Sequence, residues 1–250
     1  MIQFVEGLPK GIYVGQTRLQ FENSLPARQS ELEGFNLALH VGDDEARVHA
    51  HRIALMESLK SFQVSKMTWL QQTHSTICHV INDETTFYPR IGDGLVTQMQ
   101  GHALMIMTAD CLPIVFGNDD EVANVHAGWR GLASGIIENT IKTMKKPPTW
   151  AWLGACIGQN SFEVGLEVKE IFCEKYAVEF AFITKEKIEN KAYADLYAIA
   201  AHILKQFGVV HVLGGKECTF SQNKDYFSYR RQPKTGRMAT FVFINKFMVK

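Results

Sequence analysis

The chain has 250 residues with 26 basic and 26 acidic side chains, so its formal net charge is zero and it offers nothing to a polyanion such as nucleic acid. No run of about 18 apolar residues occurs, and the first twenty positions lack an apolar stretch of signal-peptide length, which predicts a soluble cytoplasmic protein with no membrane partner. The five cysteines, Cys78, Cys111, Cys156, Cys173 and Cys218, show no CxxC spacing and argue against both a disulfide framework and a zinc ribbon, so any metal site has to be assembled by the fold.

In chain order, the first predicted helix is "DDEARVHAHRIALMESLK", with Asp43 or Asp44 as N-cap and Val48, Arg52, Leu55, Met56 and Leu59 at helical spacing. Short apolar runs at 76–81, 94–97, 103–108, 113–116 and 122–126 read as strands. Residues 129–144 read as one helix carrying Leu132, Ala133, Ile136, Ile137, Thr140, Ile141 and Met144 on a single stripe, stopped by the double proline at 147 and 148. A strand at 150–153 follows, then a helix from Tyr193 to Phe207 closed by Gly208, and strands at 209–213 and 239–245. Several strands are apolar on both faces, as in a sheet covered by helices. The consecutive strands at 103, 113 and 122 do not suit a βαβ repeat, so the pattern predicts an α+β fold with a layered mixed sheet flanked by helices. No repeat or linker divides residues 1–250, which read as a single domain.

Three residues of metal-ligand type stand where apolar runs meet turns: His74 in "WLQQTHSTICHV", Cys111 in "TADCLPIVFG" and His126 in "ANVHAGWRGLASG". Zinc takes Cys thiolates and His imidazoles, and a catalytic site keeps three protein ligands with the fourth position open. Separations of 37 and 15 residues would bring each ligand in on its own strand end, and by spacing alone three unrelated buried side chains explain them as well. Arg130 falls in the first turn of the 129–144 helix, where free N–H groups and the positive dipole end favour an anion and Gly128 and Gly131 would let a ligand come close; alone, it also reads as an exposed arginine paired with a carboxylate. Asp110 beside Cys111 would point to the opposite face if one strand ran through both, making it a structural group. In "FSYRRQPKTGRMATF", Arg230, Arg231, Lys234 and Arg237 form either a solvated turn or the rim of an anion pocket. His40, His49, His51, His79, His102, His202 and His211 sit in helical or strand contexts that give them no catalytic part.

The motifs "HVGDD" at 40–44, "TADCLPIVF" at 108–116, "VHAGWRGLASG" at 125–135, "LGACIG" at 153–158, "FEVG" at 162–165, "CTF" at 218–220 and "FSYRR...TGRMAT" at 227–240 occur in the order in which they occur in the YfiH family. This group of laccase-like multicopper polyphenol oxidoreductases is now described as purine nucleoside phosphorylases, and the chain resembles it over nearly its whole length. The resemblance implies a YfiH or cytotoxic necrotizing factor-like fold, catalytic zinc ligands at His74, Cys111 and His126, and a substrate-binding role for Arg130. The chain departs from the pattern in "QTHS" where QVHG is usual, in Ala155 where the family has proline, and in "TRLQFENS", which lacks a glycine pair and leaves Arg18 without a role.

The activity implied by the resemblance is zinc-dependent phosphorolysis of adenosine, inosine, guanosine and methylthioadenosine, together with adenosine deamination, with a purine nucleoside and inorganic phosphate as partners. An open-site zinc has a clear part in deamination, since it makes water available as a nucleophile near neutral pH. Two alternatives use the same residues: a hydrolase of peptidoglycan precursors with Cys111 as nucleophile and a histidine as base, and a copper-dependent polyphenol oxidase. The second needs several His-rich copper sites, and the sequence offers a single HxH pair, His49 and His51 within the predicted first helix, and no HCH cluster.

Overall fold

The computed structural model describes residues 3–22, 24–83, 90–184 and 190–248; Asn23 of "TRLQFENS" lies outside them. Two mixed sheets face each other. The first runs in the order Gln3–Phe4, Ile12–Gln16, Met238–Ile244, His102–Thr108 and Lys66–Thr68, antiparallel except for the last pairing. The second runs His211–Gly214, Trp150–Leu153, Leu112–Gly117, Val122–Ala127, Gly94–Thr97 and Cys78–Ile81, with both edge strands parallel to their neighbours. Two smaller sheets, Glu163–Gly165 with Lys191–Ala194 and Phe182–Ile183, and Leu70–Gln71 with Arg90–Ile91, complete the pairing.

Strand alternation sorts the apolar side chains into three layers. Leu104, Ile106, Val242 and Ile244 of the first sheet meet Leu95, Val115, Val122 and Trp150 of the second. The other face of the first sheet, with Ala103, Met105, Phe241 and Phe243, packs on Leu55 and Leu59 of helix α1, Glu45–Lys60. The far face of the second sheet, with Ile114, Phe116, Val125 and Ala151, is covered by α2 (Trp129–Ser134), α3 (Ile136–Thr143), α4 (Leu166–Tyr176) and α5 (Leu196–Gln206). Strands apolar on both faces are thus covered by a sheet on one side and by helices on the other. Asn124, buried between the sheets, is held by bonds to the carbonyls of Leu104 and Thr240, both 2.9 Å, in the opposite sheet.

Two expectations need correction. Residues 129–144 form two helices, because Gly135 adopts φ +100° and caps both; the stripe survives the break, with Leu132, Ala133, Ile136, Ile137 and Thr140 all buried. The chain then leaves the helix at Met144, before the prolines. The later helix starts at Leu196 rather than Tyr193, because Asp195 caps it by accepting from Ala198 N, while Tyr193 lies on a strand. The strands at 103 and 113, whose sheet the sequence does not assign, belong to different sheets, joined by Ala109, Asp110 and Cys111. Helix α1 begins as expected: Asp44 caps it through Ala46 N and Arg47 N, and Asp43 forms a buried ion pair with Arg47.

Candidate metal centre

The three-residue link between the sheets positions Cys111. Asp110 holds φ +89°, a left-handed conformation rare outside glycine, and its carboxylate accepts from Thr219 Oγ1 and from Arg230 N, both at 2.6 Å. No strand runs through Asp110 and Cys111, yet Asp110 is structural all the same: it ties the C-terminal arginine loop to the link. His126 lies near the end of Val122–Ala127, on the same face as Val122 and Asn124, and is buried. His74 stands in a loop at φ +60°, four residues before the strand Cys78–Ile81, instead of at a strand start.

Asp93 organises both histidines. It is fully buried; its Oδ1 accepts from His126 Nδ1 at 2.7 Å and from His74 N at 3.0 Å, and its Oδ2 accepts from Thr73 N, Ser75 N and Ser75 Oγ at 3.2, 2.6 and 2.6 Å. Burial opposes a charge there, but the bonds from His126 and Ser75 outweigh it and hold the carboxyl at about 2. With Nδ1–H donating to Asp93, His126 presents Nε2 as an electron-pair donor, the orientation found where a carboxylate steadies a metal-bound imidazole. Ser75, one of the departures in "QTHS", adds a hydroxyl bond that a glycine there would lack. The departure at Ala155 is also compensated: its N–H, absent in proline, donates to Gln16 Oε1 at 2.8 Å.

The donor atoms of His74, Cys111 and His126 all lie within 4.8 Å of one another, and among the described residues this is the group of His, Cys or acidic side chains able to share an ion. Cys111 Sγ is 3.6 Å from His74 Nε2. Bonds of about 2.3 Å to sulfur and about 2.0 Å to nitrogen at a tetrahedral angle subtend roughly the same distance. Two imidazoles and one thiol therefore fit zinc in donor type and spacing. Without a metal, burial opposes charge on Cys111, yet His126 and His74 pull its thiol down to about 6. Burial likewise opposes charge on His126, but the Cys111 thiolate and Asp93 hold its imidazole up at about 9. Gly128 makes room for the cluster itself: a Cβ there would sit 2.5 Å from His74 Cδ2 and 3.1 Å from Cys111 Sγ. A Cβ on Gly131 would meet the Ser75 carbonyl at 3.1 Å. The glycines of "HAGWRG" thus admit protein atoms rather than a ligand.

The cluster forms part of the wall of a cavity of about 430 Å³, lined also by Trp129, Phe162, Tyr229, His40, Arg130 and Arg237. Arg130 is exposed and stacks over Trp129 at 4.3 Å; its helix has only six residues, too short for much dipole. The "FSYRR...TGR" cations divide. Arg230 and Arg237 line the cavity, while Arg231 is bonded to the carbonyls of Thr219, Phe220 and Tyr226, and Lys234 projects into solvent. Arg18 pairs with Asp225 at 3.1 Å and lines a separate cavity with Gln16 and Trp152. Of the remaining histidines, His51, His79 and His102 bond to the carbonyls of Asn36 and Ile91 and to the Thr68 hydroxyl, as expected of structural groups; His40 instead reaches the cavity.

The class so defined is an α+β protein with two facing mixed sheets and a His/Cys/His cluster, able to hold a metal, exposed in an aromatic-lined cavity. The chain belongs to the family described as multi-copper polyphenol oxidoreductase laccase, which it matches over residues 22–245. It is 37% identical to "Purine nucleoside phosphorylase YfiH" of Shigella flexneri, over 95% of this chain and 96% of that one. It is 31% identical to "Adenosine deaminase RL5" of an unknown prokaryotic organism, over 84% and 87%. The crystal structure of Neisseria meningitidis protein NMB0706 has the same fold, with a TM-score of 0.89 at 35% identity, covering 98% of this chain and 99% of that one. No helix among the described residues is long and apolar enough to cross a membrane.

Proposed function

We propose that the protein is a zinc-dependent purine nucleoside phosphorylase acting on adenosine, inosine, guanosine and methylthioadenosine, with adenosine deaminase activity in the same cavity. The observation that carries this reading is the position of the His74, Cys111 and His126 donors in the wall of a cavity of nucleoside size, about 430 Å³; the names of the relatives supply the reaction. His74, Cys111 and His126 hold the ion, with copper as the other metal the donor set would accept. When bound, zinc supplies Lewis acidity that polarises substrate oxygens and activates water near neutral pH. Asp93 keeps the His126 proton on Nδ1 and so keeps Nε2 free to ligate. Trp129, Phe162 and Tyr229 offer flat apolar surface to the purine and exclude water from the reacting bond. Arg130 binds the anion from the solvent side. In phosphorolysis a phosphate oxygen bonds to ribose C1′ as the bond to purine N9 breaks, giving ribose 1-phosphate and the free base.

Incubation with adenosine, with and without inorganic phosphate, tests this reading. Omitting phosphate should stop base release and leave ammonia release intact; base release that proceeds equally well without phosphate makes the enzyme a hydrolase. Arg130→Ala should keep the metal and raise the phosphate KM. A lost charge-assisted hydrogen bond is worth about 1.5 to 3 kcal/mol, roughly tenfold or more. Unchanged phosphate kinetics would return Arg130 to a surface role stacked on Trp129.

One observation favours a second reading. The Cys111 thiol lowered to about 6 beside His126 raised to about 9 is also what a cysteine hydrolase needs of its nucleophile and base, as an amide-cleaving enzyme of peptidoglycan precursors would use them. The two readings separate on whether turnover requires the metal.

A further inference from the structure

The cavity holds two guanidiniums, Arg230 and Arg237, with no ion-pair partner among the described residues, although the Cys111 and Asp110 charges lie near Arg237. Arg230 donates to the carbonyls of Ser161 and Glu163 at 3.3 and 3.1 Å and lies over Phe162 at 5.5 Å, so its guanidinium braces the aromatic wall. Arg237 is different. Its Nη1 donates to the carbonyls of Thr235 and Gly236, at 2.8 and 3.0 Å, and its guanidinium lies over the Tyr229 ring at 5.9 Å, which leaves Nε and Nη2 of this half-buried, cavity-lining side chain without a hydrogen-bond partner among the described residues. Among the described residues no carboxylate lies within ion-pair distance of it. The nearby Asp110 carboxylate is already taken by Thr219 Oγ1 and Arg230 N.

Behind the same wall stands a second such cation. Arg52 donates Nε to the Leu37 carbonyl at 2.9 Å, contacts Met107 Sδ at 3.7 Å and covers the Trp69 ring at 4.2 Å, and among the described residues it too has no acidic partner. His40 lies within the field of both guanidiniums: burial and then the charges of Arg237 and Arg52 lower its pKa, leaving a neutral imidazole that can share a proton with a ligand oxygen. A half-buried, unpaired guanidinium is costly unless an anion completes it, and the pairing is worth more there than at the surface.

We propose that Arg237 and His40 form an anion subsite of the cavity and bind the inorganic phosphate co-substrate, in addition to Arg130; this rests on the phosphorolysis reading above. Arg237 supplies a planar two-donor edge matched to two phosphate oxygens, His40 a neutral hydrogen-bonding group, and Arg52 a fixed positive charge behind them.

The test measures phosphate KM and nucleoside KM separately for Arg237→Gln, Arg237→Lys, His40→Ala and Lys234→Ala, alongside the melting temperature of the metal-loaded proteins with and without phosphate. Arg237→Gln should raise the phosphate KM by about tenfold or more while the nucleoside KM stays within about twofold, and Arg237→Lys should recover part of the loss. His40→Ala, a change at an exposed position that leaves folding intact, should raise the phosphate KM by several-fold, and Lys234→Ala, outside the cavity, should not alter it. The stabilisation by phosphate should disappear in Arg237→Gln. An unchanged phosphate KM in both Arg237→Gln and His40→Ala, or a nucleoside KM that rises in the same proportion, overturns the subsite. If the wild-type protein releases no base with phosphate present, the phosphorolysis reading fails on its own; the subsite then stands if phosphate stabilises wild type and not Arg237→Gln, and falls if it stabilises both equally.

Discussion

Cys111→Ala should lose most of its metal and slow base release and ammonia release together by about 10³-fold, because a metal's electrostatic contribution of several kcal/mol, here about 4, depends on this one anionic donor. The thiol is the only one of the three groups that would carry a charge when bound, and in the metal-free protein it acts with Asp93 to raise the His126 imidazole. Both losses should therefore appear in one variant. Metal content per chain and the two rates, measured on the same preparation, check it; His74→Ala should show the same metal loss. Full metal content in either variant would mean that the ion, if any, sits elsewhere, and full activity of Cys111→Ala in both assays would detach both reactions from this cluster.

Asp93→Asn should weaken metal binding by about 10- to 100-fold without removing any ligand. The carboxylate accepts five bonds, four of them from the 73–75 loop and one from His126 Nδ1. An amide of the same size turns one acceptor into a donor facing N–H groups, and a buried donor left unpaired costs about 1 to 3 kcal/mol. Thermal unfolding of the metal-free variant reads that cost, and competition with a chelator of known affinity reads the weakening. Because Asp93 positions both imidazoles, affinity should fall further than stability alone would explain, and zinc affinity equal to wild type would reduce Asp93 to a loop anchor.

The cluster was legible in the sequence because its ligands stand at the ends of apolar runs within motifs shared with a known family, whereas the group that orders them was not. Asp93 sits between Gly92 and Gly94, where an aspartate reads as an ordinary turn residue; four of its five bonds exist only once the 73–75 loop folds over it, and the fifth needs His126 from another strand. Helix α1 was readable from a local signal, the Asp44 cap with apolar spacing behind it. The break at Gly135 was not, since a helix tolerates one glycine and the apolar stripe continues past it in register. Helix α4 is not legible in the sequence although Val168, Phe172 and Tyr176 recur every fourth residue, because the five acidic or basic side chains of Leu166–Tyr176 dilute the pattern. Periodicity also cannot assign strands to sheets. The three residues joining His102–Thr108 to Leu112–Gly117 carry no signal of a change of sheet, yet through the left-handed Asp110 the chain passes from one sheet to the other. His40 is not legible as a cavity residue for a related reason: it shares the cavity wall with Arg237, far along the chain.

The measurement that bears most directly on a metal-dependent nucleoside phosphorylase is turnover counted against zinc. Protein with its zinc quantified per chain is titrated with a chelator, phosphate-dependent base release is followed at each step, and zinc is then restored. Activity should fall in proportion to the zinc removed, reach background at zero occupancy and return with one ion per chain. Full base release by the metal-free protein would contradict this and assign the chemistry to the Cys111 thiolate and the His126 imidazolium alone.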